Sequence, residues 1–312
     1  PNGGVISHAQ RHSIVAEGRC TRFLLRPYLY YEFLRLDLRK LILPQSASPY
    51  FSFTAAQVGS RPAFHLTEED HARGRAVLRE MGVPEDRWIV ALHFRESGYH
   101  PTVGQEARNA DIQTASLAVR EIYKRGGWCI RMGDATMNQA PEWEGLTDYA
   151  RSPQKSDQMD VYLCGSARMF LGSSSGLVFI ASLFGVPVAC TNVVPFGTSL
   201  MAVAGAVCLP KRVADKSGRV LSFAETAQHP SAFDNLCESY EPAGLDVIDN
   251  TPEEIQDVAI EVLERIDGTY SESAEDIARQ NAYKQLVTPD HYCFGSGARI
   301  GRDFLRRHKA YL

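Results

Sequence analysis

The chain has 312 residues, 44% of them hydrophobic, and a formal net charge of −4. That is enough apolar material for one large domain or two, and so nearly balanced a charge speaks against a broad basic surface for nucleic acid, leaving at most a local groove. Seven cysteines without a Cys-x-x-Cys pair speak against a disulfide framework or a zinc site, and no run approaches the roughly 18 apolar residues of a membrane span; a reducing, cytoplasmic setting is expected.

In chain order, the stretch from Tyr28 to Leu43 mixes aromatics and leucines with Arg35, Arg39 and Lys40. It reads as a helix packed on a neighbour, with peripheral contact to a membrane surface as the alternative. Thr67 opens a helix with Glu68, Glu69 and Asp70 in its first turn, ending near Gly82. From about residue 89 strand and helix alternate. Strands are expected at 88–92, 128–132, 168–171, 186–191 and 206–209, with helices at 114–125, 156–164 and 176–184. Repeated units of this length predict an α/β fold with a doubly wound parallel sheet of the Rossmann kind, whose ligands lie beyond the carboxyl ends of the strands. Residues 211–250 read as a loop-rich surface excursion, polar at its start with Lys211, Arg212, Lys216 and Arg219, with a cover over a site as the alternative. Thr251-Pro252-Glu253-Glu254 is a capping box ahead of an apolar face at Ile255, Val258, Val262 and Ile266. Helices near 272–286 and 299–309 follow. The expected division is an N-terminal part at 1–88, too short for a complete domain of the same kind, a Rossmann-like domain at 89–270, and helices at 271–312 packing back on the N-terminal part.

The most informative segment is Gly172-Ser173-Ser174-Ser175-Gly176, where an apolar run stops and resumes at helical spacing. Such a strand–turn–helix leaves several N–H groups unpaired at the positive end of a helix, a site suited to phosphate. Other polar groups converge on the same edge. Alternation puts His93 and Arg95 on one side at the end of the first strand, with Glu96 as a candidate base. Arg131, Gly133 and Asp134 end the second strand. Arg108 and Asn109 order the loop that follows the first strand, or contact ligand, and Asp111 is a candidate N-cap. Lys155, Ser156, Asp157 and Asp160 open the helix before the serine turn, Ser156 as a plausible N-cap.

Two chemistries compete for this edge. Gly172–Gly176 also fits the Gly-x-Ser-x-Gly nucleophile elbow, which would make Ser174 a hydrolase nucleophile and draw on Asp234, Asp246 or Asp249 with His229 or His291. That reading leaves His93, Arg95 and Arg131 without a role. A nucleotide-sugar site uses them: a diphosphate needs N–H donors and an arginine, and negative charge builds on the phosphate as the sugar departs. No Asp-x-Asp pair stands in a suitable loop, so no metal and no cofactor are expected.

From His93 to about Asn192 the chain resembles a bacterial glycosyltransferase family linked to surface polysaccharide synthesis. The matching residues are His93-Phe94-Arg95-Glu96-Ser97-Gly98-Tyr99, Arg108-Asn109, Gly126-Gly127-Trp128, Arg131-Met132-Gly133-Asp134, Asp148-Tyr149, Lys155-Ser156-Asp157, Met159-Asp160, and Ser174-Ser175-Gly176 with Phe184-Gly185-Val186-Pro187. The His-x-Arg element is similar to that of fucosyltransferases, and the serine turn to the donor loop of heptosyltransferases. The resemblance implies a GT-B-like fold and a metal-independent transferase whose nucleotide-sugar donor lies on the Rossmann-like domain. The acceptor would be a glycan or a lipid-linked glycan. On this reading the shared strand edge puts His93, Arg95 and Glu96 at the chemistry; Arg131, Gly133, Asp134, Lys155, Ser156, Asp157, Asp160 and Ser173–Gly176 around the donor; and Tyr99, Arg108 and Asn109 at the acceptor or in the loop beside it. A non-catalytic nucleotide- or sugar-binding module is a third reading.

Overall fold

A computed structural model of the protein describes residues 62–98, 106–200, 203, 205–234 and 237–312. Helix α1 (Glu68–Glu80) begins at Thr67, whose hydroxyl accepts from the Asp70 amide at 3.1 Å while the Asp70 carboxylate accepts from the Thr67 amide. This reciprocal cap satisfies two of the amides that a helix start leaves free. There follow β1 (Trp88–His93), α2 (Ser116–Lys124), β2 (Gly127–Arg131), β3 (Leu146–Thr147), α3 (Asp157–Ser166), β4 (Met169–Ser173), α4 (Gly176–Leu183), β5 (Val188–Val193) and β6 (Val207–Pro210). After them come β7 (Arg212–Asp215), α5 (Phe223–Gln228), β8 (Leu245–Ile248), α6 (Pro252–Asp267), α7 (Ala274–Gln285), β9 (Arg299–Ile300) and α8 (Arg302–Arg307).

Seven strands form one sheet in the order β3-β2-β1-β4-β5-β6-β9, every neighbouring pair parallel. All residues of β4 and β5 are buried, which is why neither alternates apolar with polar residues: a parallel sheet is covered on its two faces. Among the flanking helices, α6 packs on α2, while α1 and α4 pack on α3. The buried residues Ile255, Val258, Ala259, Val262 and Leu263 of α6 recur at helical spacing. The order reverses between β1 and β4, so the chain leaves that junction in opposite directions. Open α/β sheets bind their ligands in the crevice at such a switch point.

The α/β, Rossmann-like architecture expected from the sequence is the one observed, with local differences. Strand β3 and the antiparallel pair β7–β8 were not expected, the latter lying inside the supposed loop 211–250. The last expected helix is shorter, because Arg299 and Ile300 pair with β6. Residues 271–312 are built into the sheet domain: β9 extends the sheet, and α8 packs on α6 and α7. Ahead of α1, Phe64 is buried against Phe184, and the amides of Ala63 and Phe64 donate to Leu183 O. The stretch 28–43, and any seating of the C-terminal helices on residues 1–61, lie outside the described residues. None of the six described cysteines is in a disulfide, and all six are buried. Among the described residues no helix is long and apolar enough to cross a membrane, and no group of three or more His, Cys, Asp or Glu is placed to hold a metal.

Candidate functional site

The switch point is built by close backbone approach. His93, the last residue of β1, lies beside Gly172 of β4. A Cβ on Gly172 would stand 1.8 Å from the His93 carbonyl oxygen, and its φ is +154°; only glycine fits two strands at this distance in this conformation. The His93 Nδ1–H donates to Met132 O at 3.1 Å. That tautomer leaves Nε2 bare, as an acceptor. Burial, with the charges of Arg131 and Arg95, holds the imidazole below its ordinary pKa against the opposing pull of the Met132 carbonyl and Asp134. A neutral ring with a fixed proton and a free lone pair suits a general base.

Arg95 is placed by its backbone. Its amide points at Ser173 Oγ over 3.4 Å and its carbonyl accepts from the Ala110 amide at 3.0 Å. Burial lowers the pKa of both Arg95 and Arg108, and the charge of Arg108 lowers that of Arg95 further. Two guanidinium groups thus share one edge. The excursion 211–250 closes on them. Lys211, 5% exposed, donates from Nζ to Asn109 O at 2.6 Å and pairs with Asp249 at 2.6 Å. Ala107 packs against a small cluster of Val194, Val213, Leu221, Cys237 and Tyr240. Cys237 holds a left-handed backbone with φ 62°. Burial pushes its thiol up to about 12, despite the neighbouring Arg108, Lys211 and Arg95. Sequence reasoning left open that this excursion covers a site, but gave no signal that Lys211 and Cys237 are the neighbours of this edge, since its polar start reads as solvent-facing loop.

On the β4 side Ser173 is buried, Ser174 and Ser175 are half-buried and Gly176 is exposed. Ser175 is the N-cap of α4, yet its side chain makes no capping hydrogen bond. The first-turn amides of α4 are therefore left without the side-chain acceptor that caps α1, α3 and α6. The bare helix start, the two arginines and His93 all stand at the carboxyl edge of β1 and β4.

The remaining candidates are engaged with one another. Arg131, fully buried, donates to Glu96 Oε1 at 2.6 Å, to Asn138 O at 2.7 Å and to both Asp148 oxygens at 3.2 Å. Glu96 Oε2 accepts from the Asn138 amide and side chain at 2.8 and 2.9 Å. Glu96 is thereby a clamp on Arg131 and Asn138, both oxygens in use. Gly133 has φ +148°, and a Cβ there would meet the Met137 sulfur. Asp134 accepts from the Thr136 amide at 2.8 Å. Lys155 bonds both Asp160 oxygens at 2.9 Å, and Tyr149 donates to Asp160 at 2.9 Å. Ser156 caps α3 through the Met159 amide, and Asp157 is exposed in its first turn. Asp111 caps the 3-10 turn that leads into α2. These groups hold the loops that frame the crevice, and Tyr99 lies outside the described residues.

The hydrolase alternative finds no such support. The non-glycine residues with a left-handed backbone among those described are Asn192 and Cys237, so Ser174 lacks that strain, although a nucleophile elbow is a strained turn. His291 is buried, with Nδ1 against the Thr288 amide and Nε2 against Ala227 O, and His229 caps a turn through Ser231. Among the described residues no hydrogen bond joins either histidine to Ser174.

No family model matches the chain, and no curated protein matches it. Among solved structures, the crystal structure of a glycosyl transferase family 9 protein from Veillonella parvula DSM 2008 is similar, with 8% identity and a TM-score of 0.32. The match covers 41% of this chain and 36% of that one, so the chain spans about a third of the length of the protein it matches.

Proposed function

We propose that the protein is a glycosyltransferase that moves a sugar from a nucleotide-diphosphate donor to a hydroxyl of a glycan or lipid-linked glycan, without a metal. The observation that carries this reading is the juxtaposition at the β1/β4 switch point of His93, its Nδ1 held by Met132 O, the Arg95–Arg108 pair and the uncapped start of α4. In this mechanism the acceptor hydroxyl gives its proton to His93 Nε2 as its oxygen forms a bond to the anomeric carbon. The bond from that carbon to the donor's phosphate oxygen breaks, and the electron pair stays on the phosphate. Arg95 and the first amides of α4 meet the charge that develops there, in the place a divalent cation would otherwise take.

The first test is a thermal-shift screen against GDP, UDP, ADP, TDP, CDP and CMP. Selective stabilisation by one of them supports a donor site, because a ligand of the native state alone raises stability by mass action. Arg95→Ala is expected to weaken binding of that nucleotide by roughly 1.5–3 kcal/mol, the range of a charged hydrogen bond, as read by calorimetry. Unchanged affinity in a folded variant would remove Arg95 from the site. Chelation with EDTA is expected to leave the transfer rate unchanged; a rate restored only by a divalent cation would overturn the metal-free mechanism. Nucleotide binding with no turnover across acceptors would mark the chain as a binding module, and labelling of Ser174 by a fluorophosphonate would restore the hydrolase.

A further inference from the structure

One wholly buried guanidinium ties together three loops at the carboxyl edge. Arg131 is the last residue of β2, and its partners are Glu96 after β1, Asn138 in the loop after β2, and Asp148 after β3. The next residue, Met132, continues the β1–β2 pairing by donating its amide to Leu92 O at 2.7 Å. Its carbonyl then receives the His93 Nδ1–H. The acceptor that fixes the histidine proton is thus adjacent in sequence to the residue that the ion network anchors. We infer that the Glu96–Arg131–Asp148 network is the positioning device of His93, and that Glu96 acts through the imidazole and not on substrate.

The inference rests on the reading of His93 as the base, and it has a physical consequence separate from turnover. The charged groups facing the ring are Arg131, Arg95 and Asp134, with the Met132 carbonyl on Nδ1. Two carboxylates balance Arg131: Glu96, whose side chain is 15% exposed, and Asp148 at 21%. Removing the charge of either leaves the charge of Arg131 less compensated beside the ring and loosens the loop that carries Met132. Both changes disfavour the imidazolium.

The experiment is a titration of the full chain by two-bond 1H–15N NMR, with the His93 ring identified by its loss in His93→Gln. In the wild type His93 is expected in the Nδ1–H form, titrating below the ordinary histidine range. Glu96→Gln is expected to lower the midpoint further, by about half a pH unit, the effect of a weakened counter-charge near a titrating group, and to reduce the Nδ1–H population. Asp148→Asn moves both in the same direction, and Glu96→Asp, which keeps the charge, restores the midpoint. A network that neither held Met132 nor balanced Arg131 beside the ring would move neither. An Nε2–H tautomer in the wild type overturns the inference without any variant, as does an unmoved ring in both Glu96→Gln and Asp148→Asn. Nucleoside diphosphate titrated into the same samples separates the two readings: no binding with the expected tautomer and shifts removes the transferase and leaves the positioning of His93 standing.

Discussion

At Gly172 the requirement for glycine comes from the opposite strand. A methyl group there meets the His93 carbonyl at 1.8 Å, whereas one on Gly176 meets nothing within 4 Å. Gly172→Ala is therefore expected to destabilise the protein by on the order of 3 kcal/mol, through backbone strain and overpacking together, while Gly176→Ala stays within about 0.5 kcal/mol. Denaturant unfolding of the pair checks this. His93→Gln, with nucleotide binding intact, is expected to slow transfer by roughly 10²–10⁴-fold, the usual contribution of a positioned base. Part of this site was legible in the sequence: alternation along β1 was enough to put His93 and Arg95 at one edge. The engagement of Glu96 was not legible, because its partner Arg131 is 35 residues away and buried charge pairing leaves no periodic signal. Ser156 as an N-cap was legible from local chemistry alone, since that bond closes within three residues.

Among the elements, α6 and α8 meet at a buried polar contact. Glu254 closes the capping box of α6 with one oxygen on the Thr251 amide and takes His308 Nε2 on the other at 2.5 Å. Burial pushes this carboxyl up, but the bonds from His308 and Thr251 and the charges of His308 and Arg212 outweigh it, so its pKa lies below the ordinary value. A carboxylate depressed in the folded state contributes stability above its unfolded pKa and loses it as the pH falls through the folded one. Acid titration is thus expected to weaken the protein from the ordinary glutamate range downward, and Glu254→Gln to flatten that limb, as read from denaturant midpoints across pH. Thr251→Ala should cost about 1 kcal/mol at any pH, the usual worth of an N-cap. The capping box of α6 and the strand–helix alternation were readable because their signals span a few neighbouring residues. The β7–β8 pair was not: its partners Arg212 and Ile248 are far apart in sequence, and neither strand alternates cleanly. Two-residue strands such as β3 and β9 carry no period at all.

For the molecule as a whole, the chain folds its supposed surface excursion back onto the loop after β1. A nucleotide bound at the switch point should accordingly protect more than the serine turn. Hydrogen exchange is expected to slow at 93–98 and 172–178 and also at 106–110 and around Lys211, with global stability raised by about 2.7 kcal/mol at a hundredfold excess over Kd. Protection confined to the serine turn would mean that the excursion takes no part in binding. The sheet itself ends at β3 on one side and β9 on the other, each two residues long. So short an outer strand offers too few free N–H and C=O groups to template a strand from another molecule. Among the described residues the seven-stranded sheet offers little to pair with at either margin. Lengthening either outer strand is therefore the change that would open this sheet to edge-to-edge pairing and fibrous aggregation.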